Sequence, residues 1–250
     1  MKITAAIITF NEEHNIRRCL ESLENVVDEI IIMDSGSTDA TEAICKQKGV
    51  VFYRQDWLGY AQQKNALNEK ASYEMIFSID ADEALSPELA SEIIELKSNA
   101  QVGYYSLNRL TNYCGSWIYH SGWFPDIKVR LFPKTTLWTG ELVHEQLVLE
   151  GGQPIYHLKG LLHHYSYYSH EQHRRRADHY STLTAKKYVL EGRATFWGQP
   201  AISAIARFLS MYVLKLGFMD GMAGFHIARI SAASNYLKYK EVQRLTREKY

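Results

Sequence analysis

The sequence predicts an α/β fold with a mostly parallel central sheet, flanking helices and a C-terminal helical appendage. Two observations predict it. In the first 110 of the 250 residues, short apolar runs alternate with segments whose apolar residues recur at helical spacing, which is typical of βαβ units. From about residue 178 onwards only the helical spacing remains. A chain of this length and ordinary apolar content (46%) can bury one large core.

Five strands are predicted in the first 110 residues. Each is a short apolar run, as expected of a strand that is covered on both faces of a sheet. The runs are 3–10, 29–34, 50–54, 73–80 and 102–109.

Four helices are predicted between these strands. They span 12–23, 39–49, 60–71 and 86–97. The second begins with Asp39 and has Glu42 three residues later, which resembles a capping box, and it ends at Gly49. The fourth has Ser86 as its predicted N-cap and Pro87 in its first turn.

The chain changes character after residue 110. The stretch 110–150 is rich in aromatic residues and glycine, and it predicts an insertion of short β segments that closes over a cleft. The remainder, 151–250, is predicted to be basic and mostly helical, so we place a domain boundary near residue 150.

An apolar stripe in this C-terminal region has two interpretations. The stripe consists of Ile202, Ile205, Leu209, Val213 and Leu216. It either packs on the core of the protein or lies in a membrane interface beside basic residues. Charged residues interrupt every apolar run before it reaches the roughly 18 residues that span a bilayer.

The net charge of zero conceals an asymmetry. Residues 1–150 contain 13 Lys and Arg against 22 Asp and Glu, whereas residues 151–250 contain 15 against 6. The basic part either attracts a phosphate-rich partner or attracts the acidic part of the same chain. The three cysteines are widely spaced and form no C-x-x-C pair, which favours a reducing compartment.

Polar residues follow three of the predicted strands directly. Thr9 and Asn11 follow the first strand, Asp34 the second, and Asp80 and Asp82 the fourth. In parallel sheets ligands bind beyond the carboxyl ends of the strands, so these side chains are expected to converge. The cluster of carboxylates in "DADE", which ends at Glu83, favours a divalent cation that offsets their repulsion; an acidic loop ahead of a helix is the alternative.

Histidines are concentrated between residues 155 and 180, among tyrosines. Their spacing matches no familiar zinc pattern. We therefore favour solvated or hydrogen-bonded histidines over a metal site there.

The segments "TFNEE", "DSGSTD", "QQKN" and "DAD", in this order, resemble the family 2 glycosyltransferases. Those are inverting enzymes of the GT-A fold that use nucleotide-diphosphate sugars, and the resemblance covers roughly residues 1–150. The stretch ending "RLFPKTTLWTGELVHE" and the basic tail are similar to the bacterial subfamily that adds glucose to the lipopolysaccharide inner core (the WaaE type).

This resemblance implies roles for individual residues. Asp82 would contact Mg²⁺ or Mn²⁺, Asp34 would contact the uracil ring, and Asp80 would face the ribose or the water shell of the metal ion. Further contacts to the nucleotide sugar are expected from Thr9, Asn11, Glu13, Lys64 and Arg130. Lys64 stands where an arginine is common in the family, so the bidentate fork of arginine is lost there.

An inverting transfer also needs a base for the acceptor hydroxyl. The resemblance points to Glu145 in "VHE", with His144 as an alternative base and Glu141 as a weaker candidate. Trp117, Trp123 and Trp138 are candidates for stacking on sugar faces.

The predicted function is the transfer of a hexose, glucose from UDP-glucose, to an inner-core heptose. The expected partners are a UDP-sugar and a glycolipid, not nucleic acid. The expected location is the cytoplasm, at the inner membrane. Transfer to a polyprenyl-linked or capsular acceptor is one alternative. A non-catalytic membrane-surface protein of the same fold is another.

Overall fold

The computed structural model describes residues 1–99, 102–140, 145–193 and 195–249. The chain forms two compact units, which are described separately. The first, here called the sheet unit, contains Met1–Arg109 and Asp126–Tyr165. The second, the helical unit, contains Leu110–Pro125 and Ser166–Tyr250.

The strands of the described residues are β1 (Ile3–Thr9), β2 (Glu29–Asp34), β3 (Val51–Arg54), β4 (Met75–Ser78), β5 (Glu83–Leu85), β6 (Tyr104–Tyr113), β7 (Ser116–Ile118), β8 (Ile127–Pro133), β9 (Trp138–Thr139), β10 (Gln146–Leu147) and β11 (Ile155–Tyr167). The α-helices are α1 (Ile16–Leu23), α2 (Thr41–Gln47), α3 (Tyr60–Asn68), α4 (Pro87–Asn99), α5 (His170–Leu190), α6 (Gln199–Leu209) and α7 (Gly221–Lys249).

The main sheet is mixed, with the order β3-β2-β1-β4-β8-β6-β11-β5. The first four strands of this order pair in parallel. Beyond β4 the observed pairs β4–β8, β6–β8 and β5–β11 are antiparallel. Parallel neighbours need long crossover connections, which α1, α2 and α3 supply only in the first part of the chain. The predicted α/β class of the GT-A type is confirmed, and its parallel half coincides with the predicted alternation.

The core explains why the apolar runs became strands. Ile3 and Ile7 of β1, Ile32 of β2 and Phe77 of β4 are fully buried. Helix α1 covers one face of this sheet with the side chains that its helical spacing places on a single stripe. The predicted fifth strand corresponds to β6, whereas β5 is a strand that the sequence analysis does not predict. It has three residues and exists because it pairs with residues 162–164 of β11.

Helix starts depended on individual side chains. The N-cap at Ser86 is confirmed, because its Oγ accepts a hydrogen bond from the Leu89 N–H at 3.2 Å. The capping box at Asp39 is wrong. Helix α2 begins at Thr41, its N-cap residue is Ala40, and the Asp39 carboxylate accepts from the Thr41 N–H one position earlier than expected.

The helical unit is built from α5, α6 and α7, with α5 and α6 both packed on α7. Helix α5 begins at residue 170, eight residues before the predicted start. Ser169 caps it by accepting a hydrogen bond from the Gln172 N–H at 3.1 Å. The S-x-x-Q spacing was the available signal for this start.

Two of the three boundaries between the units fall within strands. Strands β6 and β11 each continue from one unit into the other, so the units divide the chain at residues 109, 125 and 165. The functional division predicted near residue 150 stays a prediction.

Among the described residues no single helix is long and apolar enough to cross a membrane, although the bent pair Gln199–Leu214 and Gly217–Glu248 meets that test jointly.

Candidate active site

Hydrogen bonds join the loops that follow β1 and β2. Asn11, in the left-handed conformation with φ of 55°, accepts a hydrogen bond from the Thr38 N–H at 2.8 Å. Glu13 accepts one from the Ala40 N–H at 3.0 Å. Asparagine tolerates this backbone conformation better than most residues do. The two loops therefore form one continuous edge at the carboxyl ends of these strands.

Asp34 and Thr9 lie opposite each other at this edge, in register on β2 and β1. The Asp34 carboxylate is buried and accepts hydrogen bonds from the Gly36 and Ser37 N–H groups at 2.9 and 2.8 Å. It therefore shapes its own loop. The Thr9 Oγ1 is buried and has no hydrogen-bond partner within the described residues. Because an unpaired buried hydroxyl is costly, this atom suits a site that a ligand completes.

The segment "QQKN" lies on α3 and connects three parts of the site. Gln63 donates a hydrogen bond to the Ser35 hydroxyl at 3.2 Å, beside the loop after β2. The Asn65 side chain pairs with both the N–H and the C=O of Trp138, at 2.8 and 2.9 Å, and so fixes β9. Lys64, between them, is 5% exposed. It is buried rather than a surface lysine.

A buried network of charges surrounds Asp80. The Lys64 ammonium lies 3.2 Å from one carboxylate oxygen, and the Arg130 guanidinium donates to the other at 2.9 Å. Arg130 also donates to Glu83 at 2.6 Å, and Arg109 lies 3.2 Å from the same Glu83 oxygen. Glu83 in turn accepts from the Asp80 N–H at 2.9 Å. The Asp80 and Glu83 carboxylates of the acidic segment are thus paired with cations of the protein.

The network sets the ionisation of its members. Burial by itself would raise the pKa of Asp80, but the charges of Arg130 and Lys64 hold that pKa well below its ordinary value. Burial would likewise lower the pKa of Arg130, and the carboxylates of Asp80 and Glu83 raise it instead. Asp80 is therefore ionised and Arg130 charged throughout the physiological pH range.

A cavity of about 540 Å³ opens beside this network. Its wall includes Lys64, Asp80, Arg130, Trp138 and Glu145. Glu145 lies 3.4 Å from the Lys64 ammonium, which also sits 4.6 Å from the centre of the Trp138 ring. The Trp138 Nε1 and the Arg130 Nε are buried and find no hydrogen-bond acceptor in the described part of the chain. A carboxylate beside a lysine in the wall of a cavity suits binding of a polar substrate.

Asp82 lies beside a histidine. The Asp82 Oδ2 is 3.3 Å from the Nε2 of His164, which β11 brings to this position. Adjacent ligands at about 2.1 Å from one octahedral ion are about 3.0 Å apart, so the separation of 3.3 Å is near that of two atoms that share a cation, and the carboxylate oxygen suits Mg²⁺ or Mn²⁺. No group of three or more His, Cys, Asp or Glu side chains among the described residues is arranged to hold a metal ion.

The structure brings four of the predicted residues together in the cavity: Lys64, Asp80, Arg130 and Glu145. Asp82 follows two residues after Asp80. The other four lie on β1, β2 or the loops after them: Thr9, Asn11, Glu13 and Asp34. The roles given to all nine stay predictions. The alternative bases His144 and Glu141 lie outside the described residues.

The sequence analysis missed three contributions to the site. Glu83 orients Arg130, Asn65 fixes the strand before Glu145, and His164 reaches Asp82. Two of the three had a usable signal, since Asn65 belongs to the "QQKN" segment and Glu83 to the "DADE" cluster. Of the three tryptophans, Trp138 lines the cavity, whereas Trp123 packs in the apolar cluster of the helical unit.

The parallel order β3-β2-β1-β4, continued by antiparallel strands and followed by the acidic segment after β4, defines a protein of the GT-A class. Residues 4–150 match the family model described as Glycosyl transferase family 2, and the chain belongs to this family.

Relatives match along most of the chain. An uncharacterized glycosyltransferase of Rickettsia typhi is 32% identical and covers 98% of this chain and 88% of its own length. The lipopolysaccharide core biosynthesis glycosyltransferase LpsC of Rhizobium meliloti is 30% identical, covering 96% of this chain and 93% of its own. Among solved structures, S. aureus TarS superposes with a TM-score of 0.48 at 14% identity, covering 95% of this chain and 54% of TarS.

Proposed function

We propose that this protein transfers a hexose, glucose from UDP-glucose, to a heptose of the lipopolysaccharide inner core, with inversion at the anomeric carbon. The observation that carries the proposal is the meeting of Lys64, Asp80 and Glu145 in one cavity, next to Asp82. The relative LpsC, whose name places it in lipopolysaccharide core biosynthesis, supports the choice of acceptor. The proposed place of action is the cytoplasmic face of the inner membrane, where such a glycolipid would be met.

Glu145 is the proposed base. As the acceptor oxygen bonds to the anomeric carbon, the bond from that carbon to the phosphate oxygen breaks and UDP departs. Glu145 takes the hydroxyl proton that would otherwise oppose this attack. The contact at 3.4 Å with Lys64 restrains the carboxylate at the cavity wall.

Lys64 and Arg130 are the proposed charges for the donor side. Both are buried, and both touch Asp80, so their positive charges are held in place before substrate arrives. Fixed charges in a site with little water stabilise developing negative charge more than mobile ones do. Lys64 acts as a point charge there, without the two parallel hydrogen bonds of an arginine.

Asp82 and His164 are the residues that would hold the divalent cation. Once bound, Mg²⁺ or Mn²⁺ would neutralise charge on the diphosphate leaving group. Asp34, Thr9, Asn11 and Glu13 would contact the uridine, with the buried Thr9 hydroxyl as a hydrogen-bonding group that still lacks a partner in the described chain.

UDP release tests the proposal. The purified protein is incubated with UDP-glucose and lipopolysaccharide core that ends in heptose, with and without EDTA. We expect UDP release that needs both the acceptor and the metal ion. A screen of other nucleotide sugars and of polyprenyl-linked and capsular acceptors is run in parallel.

Each outcome of the assay has a distinct meaning. UDP release only with a capsular or polyprenyl-linked acceptor would contradict the proposed acceptor but not the proposed transfer reaction. Full activity in EDTA would contradict the metal site. Failure to bind UDP in the presence of Mn²⁺, measured by calorimetry, would favour a non-catalytic protein of this fold.

A further inference from the structure

A segment of the helical unit exposes many large apolar side chains. We call it the apolar ridge, and it comprises residues 196–222. Its eleven large apolar side chains that are at least 44% exposed are Phe196, Trp197, Ile202, Ile205, Leu209, Val213, Leu214, Leu216, Phe218, Met219 and Met222. The ridge includes all five residues of the stripe seen in the sequence. Large contiguous apolar surface in a folded protein indicates an interaction site.

The ridge is exposed because α6 packs through its other face. The Ser203 carbonyl accepts a hydrogen bond from the Asn235 side chain of α7 at 3.0 Å, and the ring of Phe208 lies 6.1 Å from that of Phe225. Ile202 and Ile205, on the remaining face, are 58% and 61% exposed. Folding of the helical unit therefore satisfies one side of α6 and leaves an apolar side uncovered.

The turn that follows α6 holds the ridge in a fixed shape. The Asp220 carboxylate is buried and accepts hydrogen bonds from the Tyr119 and His120 N–H groups, both at 3.1 Å. A Cβ on Gly217 would lie 2.6 Å from the Met211 carbonyl oxygen, and one on Gly224 would collide with the Gly217 carbonyl. Only glycine fits this close approach. The apolar side chains of the turn are thus displayed on a preorganised scaffold.

The charges around the ridge specify the kind of partner. Within residues 196–222, all of which the structure describes, Arg207 and Lys215 are exposed, and the sole acidic residue is Asp220 with its buried carboxylate. Trp197 borders a groove of about 670 Å³ whose wall carries three cations, Lys240, Arg244 and Arg247, and two carboxylates, Glu241 and Glu248, both paired with Arg244. A second copy of the segment would oppose these cations with cations. Exposed apolar side chains beside exposed positive charges match an anionic lipid surface.

We propose that the apolar ridge docks this protein on an anionic lipid bilayer. The aliphatic and aromatic side chains enter the interface between headgroups and acyl chains, and Arg207 and Lys215 contact the lipid phosphates. Trp197, which is 90% exposed, lies at the level of the headgroups, where tryptophan is enriched. This inference does not depend on the proposed reaction, because lipid binding is measurable without either substrate.

The test is sedimentation of the full chain with vesicles. One set contains phosphatidylethanolamine with phosphatidylglycerol, and the other contains phosphatidylcholine only. We expect the protein to sediment with the anionic vesicles, and less so at high salt. The double variant Leu214→Ser/Met219→Ser removes two exposed apolar side chains, so we expect its partition to fall at least about tenfold.

Two further variants keep the test decisive. Lys215→Gln leaves the apolar side chains in place and is expected to reduce partition about fivefold on anionic vesicles only. Val102→Ser changes a side chain that is 61% exposed on the sheet unit and should partition like the wild type. Circular dichroism checks that each variant is folded.

Two results would overturn the inference. One is equal sedimentation of the wild type and the folded double variant with anionic vesicles. The other is a stable dimer in sedimentation velocity without lipid that the double variant dissociates, since the ridge would then be covered by a second copy.

Discussion

Replacing Arg130 by alanine tests the charge network that supports the site. The Arg130 side chain is 5% exposed and lies 2.9 Å from Asp80 and 2.6 Å from Glu83. Arg130→Ala would leave the buried Glu83 carboxylate and the partly exposed Asp80 carboxylate with Lys64 and Arg109 as their remaining cations among the described residues. Removing one partner of a buried ion pair costs about 3–5 kcal/mol. In a protein of this size that is a fall in the unfolding midpoint of about 6–20 °C.

The pH dependence of this loss has a defined sign. The pKa of Asp80 is lower in the folded protein than its ordinary value, because Arg130 and Lys64 outweigh the opposing effect of burial. Its contribution to stability is therefore complete above the unfolded pKa of about 3.9 and is lost as the pH falls through the folded pKa. We expect the stability difference between wild type and Arg130→Ala to be largest at neutral pH and to shrink below about pH 4.

Thermal unfolding followed by circular dichroism at several pH values measures this difference. Arg54→Ala is the matched control, because Arg54 also pairs with a glutamate, Glu42, but is 68% exposed. Exposed ion pairs contribute little, so the control should unfold almost as the wild type does. If Arg130→Ala is no less stable than Arg54→Ala, the network does not hold the site together and the reasoning fails.

Three other predictions concern Glu145, Asp82 and His173. Glu145→Gln should lower the turnover for UDP release about 10²- to 10⁴-fold, while Glu150→Gln, an exposed change nearby, should not; equal rates would exclude Glu145 as the base. Asp82→Asn should weaken the Mn²⁺-dependent binding of UDP about tenfold or more in calorimetry, and unchanged binding would place the ion elsewhere. Burial, with His170 and Arg176 nearby, lowers the pKa of His173 to about 4, so its contribution to stability is present above pH 6.5 and is lost on acidification. Urea unfolding should show wild type losing about 2 kcal/mol between pH 7 and pH 5 from this group, and His173→Gln should lose correspondingly less.

The sequence by itself determined the parallel half of the fold. Apolar runs such as 3–10 and 29–34 have too few polar residues for an exposed surface, so they form buried strands wherever helices cover them. The side chains after those strands were therefore expected at one edge of the sheet, because the carboxyl ends of parallel strands share that edge. The N-cap at Ser86 was predictable from local chemistry alone, whereas the roles of Asp34 and Asp80 in a site stay predictions.

Only the tertiary structure decided the contacts between distant segments. His164 reaches Asp82 because β11 pairs with β5, and Lys64 is buried because β9 and Glu145 close over α3. The sequence also did not determine that the stripe containing Ile205 faces outwards, since helical spacing identifies an apolar face but not what covers it. Local propensity acts over a few residues, whereas these contacts depend on which surfaces remain once the sheet and the helices have packed.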